Sequence, residues 1–191
     1  LVIGGGGREH ALVMGLSISK SVDEIHIAPG NAGTSELGTN HDVSANDLDG
    51  ILELSNRLGI DLVVVGPEGP LVGGLSEKIR AQGISCFGPH TDGAMLEGSK
   101  LFAKKAMFDC AVPTGEIHVI ESEAMIDVAL DDFSPPWVVK RDVLAGGKGV
   151  VVTSDRVEAE NAILEAIKTD GFVILEKFLA GEEASMLVVM D

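Results

Sequence analysis

The sequence predicts an α/β protein whose first half is a parallel sheet with helices on both faces. Short apolar runs such as LVI (1–3) and DLVVVGP (61–67) alternate with helix-like stretches. Those runs end in glycine or proline turns, the rhythm of strand–helix–strand units. Hydrophobic residues make up 45% of 191 residues, enough for a sizeable core and too many for a disordered chain.

LVI is the first buried strand, and the stretch from Glu9 to Ser17 reads as a helix. EIHIAPG (24–30) is a second strand ending in a turn. From Asp47 to Leu58, Leu48, Ile51, Leu52 and Leu58 fall near one helical face, and Asp47 can cap it. DLVVVGP is a third strand, stopped by Gly-Pro. Leu71, Leu75 and Ile79 recur at i, i+4 and i+8 and predict one helix over 70–82. ISCFGP (84–89) is a further strand, and the boundary between halves falls near residues 90–98.

Beyond it, 98–110 reads as a helix with three lysines, and GEIHVI (115–120) as a strand. Ser122 caps a short helix to Leu130. PPWVVK (135–140) and VVVT (150–153) are strands flanking the loop RDVLAGGKG, a hairpin. Asp155 caps the next helix, with Glu158 completing a capping box and Ala159, Ala162, Ile163, Ala166 and Ile167 facing the core. FVILEKFL (172–179) is a strand, and EEASMLVVMD (182–191) begins another.

A net charge of −16 argues against wrapping nucleic acid, which needs clustered Lys and Arg. The two cysteines, Cys86 and Cys110, form no disulfide framework, so a reduced, cytoplasmic setting is expected. No apolar run reaches the ~18 residues of a membrane span. No basic segment precedes the first apolar run and GGGG breaks that run early, so no signal peptide is expected. The chain opens on Leu1 rather than Met, so it is expected to start just inside the natural N-terminus.

Glycine-rich turns between a strand and a helix bind phosphate through free backbone N–H groups. The opening IGGGGREHAL is such a turn. It fails the dinucleotide pattern G-x-G-x-x-G, because the sixth position is Glu9 or His10, and no Walker A loop exists in the chain. APGNAG (28–33) and GPEGP (66–70) are further glycine turns at strand ends, and all three can converge at the carboxyl edge of one sheet. A tight βα turn with no ligand is the plain alternative for any one of them. In the second half, Lys140 ends a strand and a glycine turn carries Lys148, a tip able to close over a polyphosphate. Glu176 ends an apolar strand, and Glu182 and Glu183 follow Gly181; such carboxylates accept hydrogen bonds from an adenine amine or ribose hydroxyls.

The order strand–Lys, glycine loop, helix, strand–Glu, Gly-Glu-Glu resembles an ATP-grasp nucleotide site. IGGGGREHAL, APGNAG, VGPEGPLV, FGP, LEGSKLFAKKAM, VPT, LAGGKGV and LEKFLAGEEAS together resemble the phosphoribosylamine–glycine ligase (glycinamide ribonucleotide synthetase) family across nearly the whole chain. The resemblance implies a Rossmann-like (pre-ATP-grasp) parallel-sheet domain at 1–94 and the first helix of the large ATP-grasp subdomain with a linker at 95–115. It further implies the small ATP-grasp lid subdomain at 116–185 and the return to the large subdomain at 186–191. It implies ATP-dependent ligation of glycine to 5-phosphoribosylamine through a glycyl phosphate, using ATP with Mg2+ or Mn2+, in a monomer or weak dimer.

By the same resemblance, Lys140 and Lys100 or Lys104 touch the ATP phosphates, and Gly146, Gly147, Lys148 and Gly149 cover them. Glu176 faces the adenine amine, Lys177, Phe178 and Leu179 read the adenine edge through their backbone, and Glu183 holds the ribose. Phosphoribosylamine falls to Gly5, Gly6, Gly7 and Arg8, to Asn31, Ala32 and Gly33, and to Gly66, Pro67 and Glu68. Two departures stand out: KRDVLAGGKGV replaces the family's usual KADGLAAGKGV, so Val143 takes a glycine's place and Arg141 adds a charge. The chain also stops at Asp191, before the expected metal ligands and glycine site, so no catalytic or metal residue is assigned within it. Other readings are an ATP-grasp carboxylase, which lacks the GGGGREHAL opening, a dinucleotide oxidoreductase, opposed by the failed fingerprint, and a non-catalytic nucleotide-binding module.

Overall fold

A computed structural model of the chain describes residues 1–144 and 149–188. It divides into two compact units, 1–103 and 104–191. The first unit runs β1 (Val2–Gly4), α1 (Gly7–Ser17), β2 (His26–Pro29), β3 (Thr39–Asn40), α2 (Leu48–Leu58), β4 (Leu62–Val65), α3 (Glu68–Val72), α4 (Leu75–Ala81), β5 (Ser85–Phe87) and α5 (Thr91–Gly98). The helix α6 (Lys100–Asp109) carries the boundary between units. The second unit adds β6 (Ile117–Ile120), α7 (Ile126–Asp132), β7 (Trp137–Lys140), β8 (Val150–Thr153), α8 (Arg156–Asp170) and β9 (Val173–Lys177).

In the first unit the five strands are all parallel, in the order β3-β2-β1-β4-β5. Successive side chains of a strand point to opposite faces, and the core divides accordingly. Ile3, Ala28, Val63 and Val65 pack on one face with Ile51, Leu54 and Ile79. Val2, Ile27 and Val64 pack on the other with Val13. That two-sided burial is why β4, reading LVVV, is apolar at every position rather than alternately. Asp47 caps α2 as expected, its carboxylate accepting from the Gly50 N–H at 3.0 Å.

Several elements differ from the sequence reading. The helix expected over 70–82 is two helices, because Gly74 adopts a left-handed conformation at φ +86° that ends α3 and starts α4. The stripe survives the break: Leu71, Leu75 and Ile79 enter one core. The helix expected over 98–110 is preceded by a separate helix, α5, with Ser99 extended between α5 and α6. β3 has only two residues and no apolar pattern, so nothing in the sequence marked it.

The second unit holds a four-stranded sheet, order β6-β9-β7-β8, whose pairs are antiparallel. β7 and β8 form the expected hairpin, with Lys140 opposite Val150 and the Arg141 N–H donating to the Gly149 carbonyl at 2.8 Å. Helices α7 and α8 supply Ile126, Ala129, Leu130, Ala159, Ile163 and Ala166 to a core with Trp137, Val139, Val173 and Leu175. The Trp137 indole N–H donates to the Leu130 and Phe133 carbonyls at 3.0 and 2.8 Å, which satisfies its polar edge inside that core. Ser122 sits at the expected N-cap position but makes no cap hydrogen bond, and a short 3₁₀ turn (123–125) precedes α7. Asp155 caps α8 through the Val157 and Glu158 N–H groups. Glu158 accepts from the Thr153 hydroxyl instead of closing a capping box. Residues 182–188, expected to begin another strand, pair with no strand among the described residues. No helix among the described residues is long and apolar enough to cross a membrane.

Candidate functional site

The parallel sheet brings the three glycine turns to one edge. β1, β2 and β4 are adjacent, with Ile3 beside Ala28 and Val65, so their carboxyl ends place Gly5–Gly7, Asn31–Gly33 and Gly66–Glu68 side by side. Side chains then lock the turns together. Asn31 Nδ2 donates to the carbonyls of Gly5 and Gly6 at 3.0 and 3.3 Å. Its Oδ1 accepts from the N–H groups of Gly33 and Thr34, closing its own turn. Thr34 and Asn40 brace the turn from below, with Thr34 Oγ1 donating to Asn40 Oδ1 and Asn40 Nδ2 to the Asn31 carbonyl.

Several of these glycines make room for neighbours. A Cβ on Gly5 would lie 2.7 Å from the Gly30 carbonyl oxygen, and one on Gly33 would lie 2.3 Å from His10 Cε1. A Cβ on Gly66 would lie 2.3 Å from a Glu9 oxygen. Glu9 was not among the sequence-derived candidates, yet it is only 4% exposed and touches two of the turns. A charged residue opening a helix would ordinarily face water, so its type gave no signal. The glycines at 4 and 66 were the available clue. Ala32 and Pro67 contribute backbone to the same turns.

The second unit brings together three residues predicted as separate contacts. Lys104 Nζ and Lys140 Nζ both ion-pair with Glu176, one on each carboxylate oxygen. Lys104 also donates to Thr114 Oγ1 at 2.7 Å and the Gly115 carbonyl at 3.0 Å. Glu176 lies on β9 opposite Val138 of β7, two residues from Lys140, and is 7% exposed. Burial alone pushes its carboxyl up, but hydrogen bonds and charge from Lys104 and Lys140 outweigh this and hold it below the ordinary range. Two ammonium groups against one carboxylate leave a surplus positive charge at the end of β7, where the glycine hairpin begins. That surplus suits a polyphosphate. Thr114 and Gly115, read in the sequence only as part of VPT and of a strand, were not among the candidate site residues, although a Cβ on Gly115 would lie 2.8 Å from Glu176 Oε1.

Other predicted residues fall elsewhere. Lys100 opens α6 on the first-unit side of the boundary. Lys177 ends β9 and is ion-paired with Glu116 at 2.6 Å. Phe178, Leu179 and Glu183 follow β9 as exposed residues. Gly149 closes the hairpin, while Gly146, Gly147 and Lys148 lie outside the described residues. Arg141, which added a charge beside the loop, is bound by Asp170 at 2.6 and 2.8 Å and so is neutralised locally. A cavity of about 320 Å³ lies at the opposite, amino end of β1, β2 and β4, away from the glycine turns.

A Rossmann-like parallel sheet followed by an antiparallel sheet with a glycine hairpin and two lysines on a buried glutamate defines the class: a pre-ATP-grasp domain with part of an ATP-grasp fold. The structure matches that of an ADP complex of N5-carboxyaminoimidazole ribonucleotide synthetase with a TM-score of 0.73 over 93% of this chain and 46% of the other. At 19% identity that likeness shows the fold alone. The chain belongs to the phosphoribosylglycinamide synthetase family: the family's N domain matches residues 1–97 and its ATP-grasp (A) domain residues 98–191. It is similar to the phosphoribosylamine–glycine ligase of Streptomyces coelicolor, 50% identical over all of this chain and 45% of the relative. The Mycobacterium bovis enzyme of the same name is 45% identical over all of this chain and 46% of the relative. The crystal structure of that ligase from Thermotoga maritima matches with a TM-score of 0.71 and 33% identity, over 95% of this chain and 44% of the other. The chain therefore spans just under half the length of the curated relatives it matches.

Proposed function

We propose that the protein to which this chain belongs ligates glycine to 5-phosphoribosylamine, splitting ATP to ADP and phosphate through a glycyl phosphate, in the purine synthesis of the cytoplasm. The convergence of Lys104 and Lys140 on buried Glu176 beside the glycine hairpin carries this reading. The two ammonium groups neutralise phosphate charge, and the low local dielectric makes that attraction count. Glu176 keeps both cations aimed at one place before nucleotide arrives, and is the acceptor for the adenine amine. Lys177, Phe178 and Leu179 offer backbone to the adenine edge, Glu183 takes the ribose hydroxyls, and Gly146–Gly149 with Lys148 covers the phosphates. Lys100 is the alternative to Lys104 as a phosphate ligand.

Residues 1–94 form the domain for phosphoribosylamine, with Gly5, Gly6, Gly7, Arg8, Asn31, Ala32, Gly33, Gly66, Pro67 and Glu68 around its phosphate and ribose. Residues 116–185 form the small ATP-grasp lid. ATP acts with Mg2+ or Mn2+; among the described residues no group of three His, Cys, Asp or Glu side chains gathers to hold a metal. The metal ligands and the glycine site belong to the remainder of the protein. The test is ADP formation by the full-length protein. It should require glycine and phosphoribosylamine together and yield glycinamide ribonucleotide; ADP release independent of either substrate overturns the reading.

A further inference from the structure

We infer that Glu9 is a positioning residue that fixes the Arg8 guanidinium at the carboxyl edge of the parallel sheet, where it meets the phosphate of the sugar substrate. The inference rests on the proposed activity and goes beyond it, because it assigns a role to a buried carboxylate that contacts no substrate. Glu9 sits in a slot that two glycines keep open. A Cβ on Gly4 would approach its Cγ to 2.5 Å, and one on Gly66 would approach its Oε1 to 2.3 Å. The absent side chains of Gly4 and Gly66 therefore accommodate Glu9, so the glycine at 66 has a reason independent of any ligand.

A buried carboxylate needs charge-assisted partners. Oε2 accepts from the Gly6 N–H at 2.7 Å, which pins the first turn. Oε1 accepts from Arg8 Nε at 3.0 Å. Arg8 Nη2 lies 3.6 Å from Glu68 Oε2, on the third turn. The side chain of Arg8 is 62% exposed, against 6% for that of Glu9. A long exposed side chain would otherwise sample many rotamers. Here the Nε edge is held by a buried carboxylate and Nη2 faces a more exposed one, which restricts the orientations open to the guanidinium at this edge of the sheet. Preorganisation of this kind is read as affinity for the group the arginine meets.

The test compares Glu9→Gln and Glu9→Ala with wild type in the full-length protein. Glutamine keeps the shape and can still accept from the Gly6 N–H, but it lacks the charge that holds Arg8. The expected result for Glu9→Gln is a KM for phosphoribosylamine raised about tenfold, as for loss of one charge-assisted bond, with the KM for ATP and the melting temperature unchanged. Calorimetric affinity for ribose 5-phosphate falls in parallel. Glu9→Ala, which also orphans the Gly6 N–H, should lose stability as well. Wild-type KM and ribose 5-phosphate affinity in Glu9→Gln overturn the inference while the activity stands. Equal rises in the KM of both substrates do the same, since they mark a general structural role. A wild-type protein with neither ligase activity nor ribose 5-phosphate binding overturns the proposed activity and this inference together.

Discussion

Glu77 shows how a single carboxylate ties the sequence to pH. Its Oε1 accepts from the Thr91 N–H at 2.6 Å, and its Oε2 accepts from the Ser76 hydroxyl. Burial pushes its pKa up, but these hydrogen bonds outweigh that and bring it down to about 2. A carboxyl lowered from its ordinary 4.5 contributes stability that is present above about 4.5 and is lost as pH falls toward 2. Glu77→Gln should therefore flatten the acid limb of a urea-unfolding series between pH 5 and 2 and leave the rest of the profile alone. Lys140→Ala in the full-length protein should raise the KM for ATP and lower kcat, together about 100-fold in kcat/KM. Asn31→Ala should raise the KM for phosphoribosylamine only, because its amide N–H bonds tie the second glycine turn to the first. Steady-state kinetics with each substrate varied in turn checks both.

At the scale of elements, glycine positions give opposed predictions. Gly74 stands in a left-handed conformation between α3 and α4, so Gly74→Ala should cost about 1–2 kcal/mol. Gly15 lies inside α1, and a Cβ there meets nothing within 4 Å, so Gly15→Ala should stabilise by about 1 kcal/mol. Chemical denaturation distinguishes the two signs. The same contrast shows what was legible. Patterns set by burial, such as LVI, LVVV and the stripe Leu71–Leu75–Ile79, announced their elements because apolar side chains had to face a core. The break at Gly74, the two-residue β3 and the separate α5 depend on backbone conformation and distant pairing, which composition does not encode. In the candidate site, cations and glycine turns stood out by type. Glu9, Thr114 and Gly115 did not, because their part depends on which elements the fold brings beside them.

On the scale of the whole molecule, the chain is two units with separate cores. The proposed activity assigns part of the ATP cleft to the rest of the protein, so this chain alone should bind ATP far more weakly than the full-length enzyme. Parallel calorimetric titrations check this, and nanomolar affinity of the 191-residue chain would contradict the assignment. The placement of one ring also gives the molecule an optical asymmetry. The chain has one tryptophan and no tyrosine, and Trp137 lies in the core of the second unit on the strand that ends at Lys140. Excited at 295 nm, the chain emits from that unit alone, and the first unit is dark. A red shift on heating or in denaturant therefore marks loss of the Leu130 and Phe133 carbonyl contacts and of that core. Circular dichroism follows both units at once. Any interval between the two signals measures how independently the two units of the chain unfold.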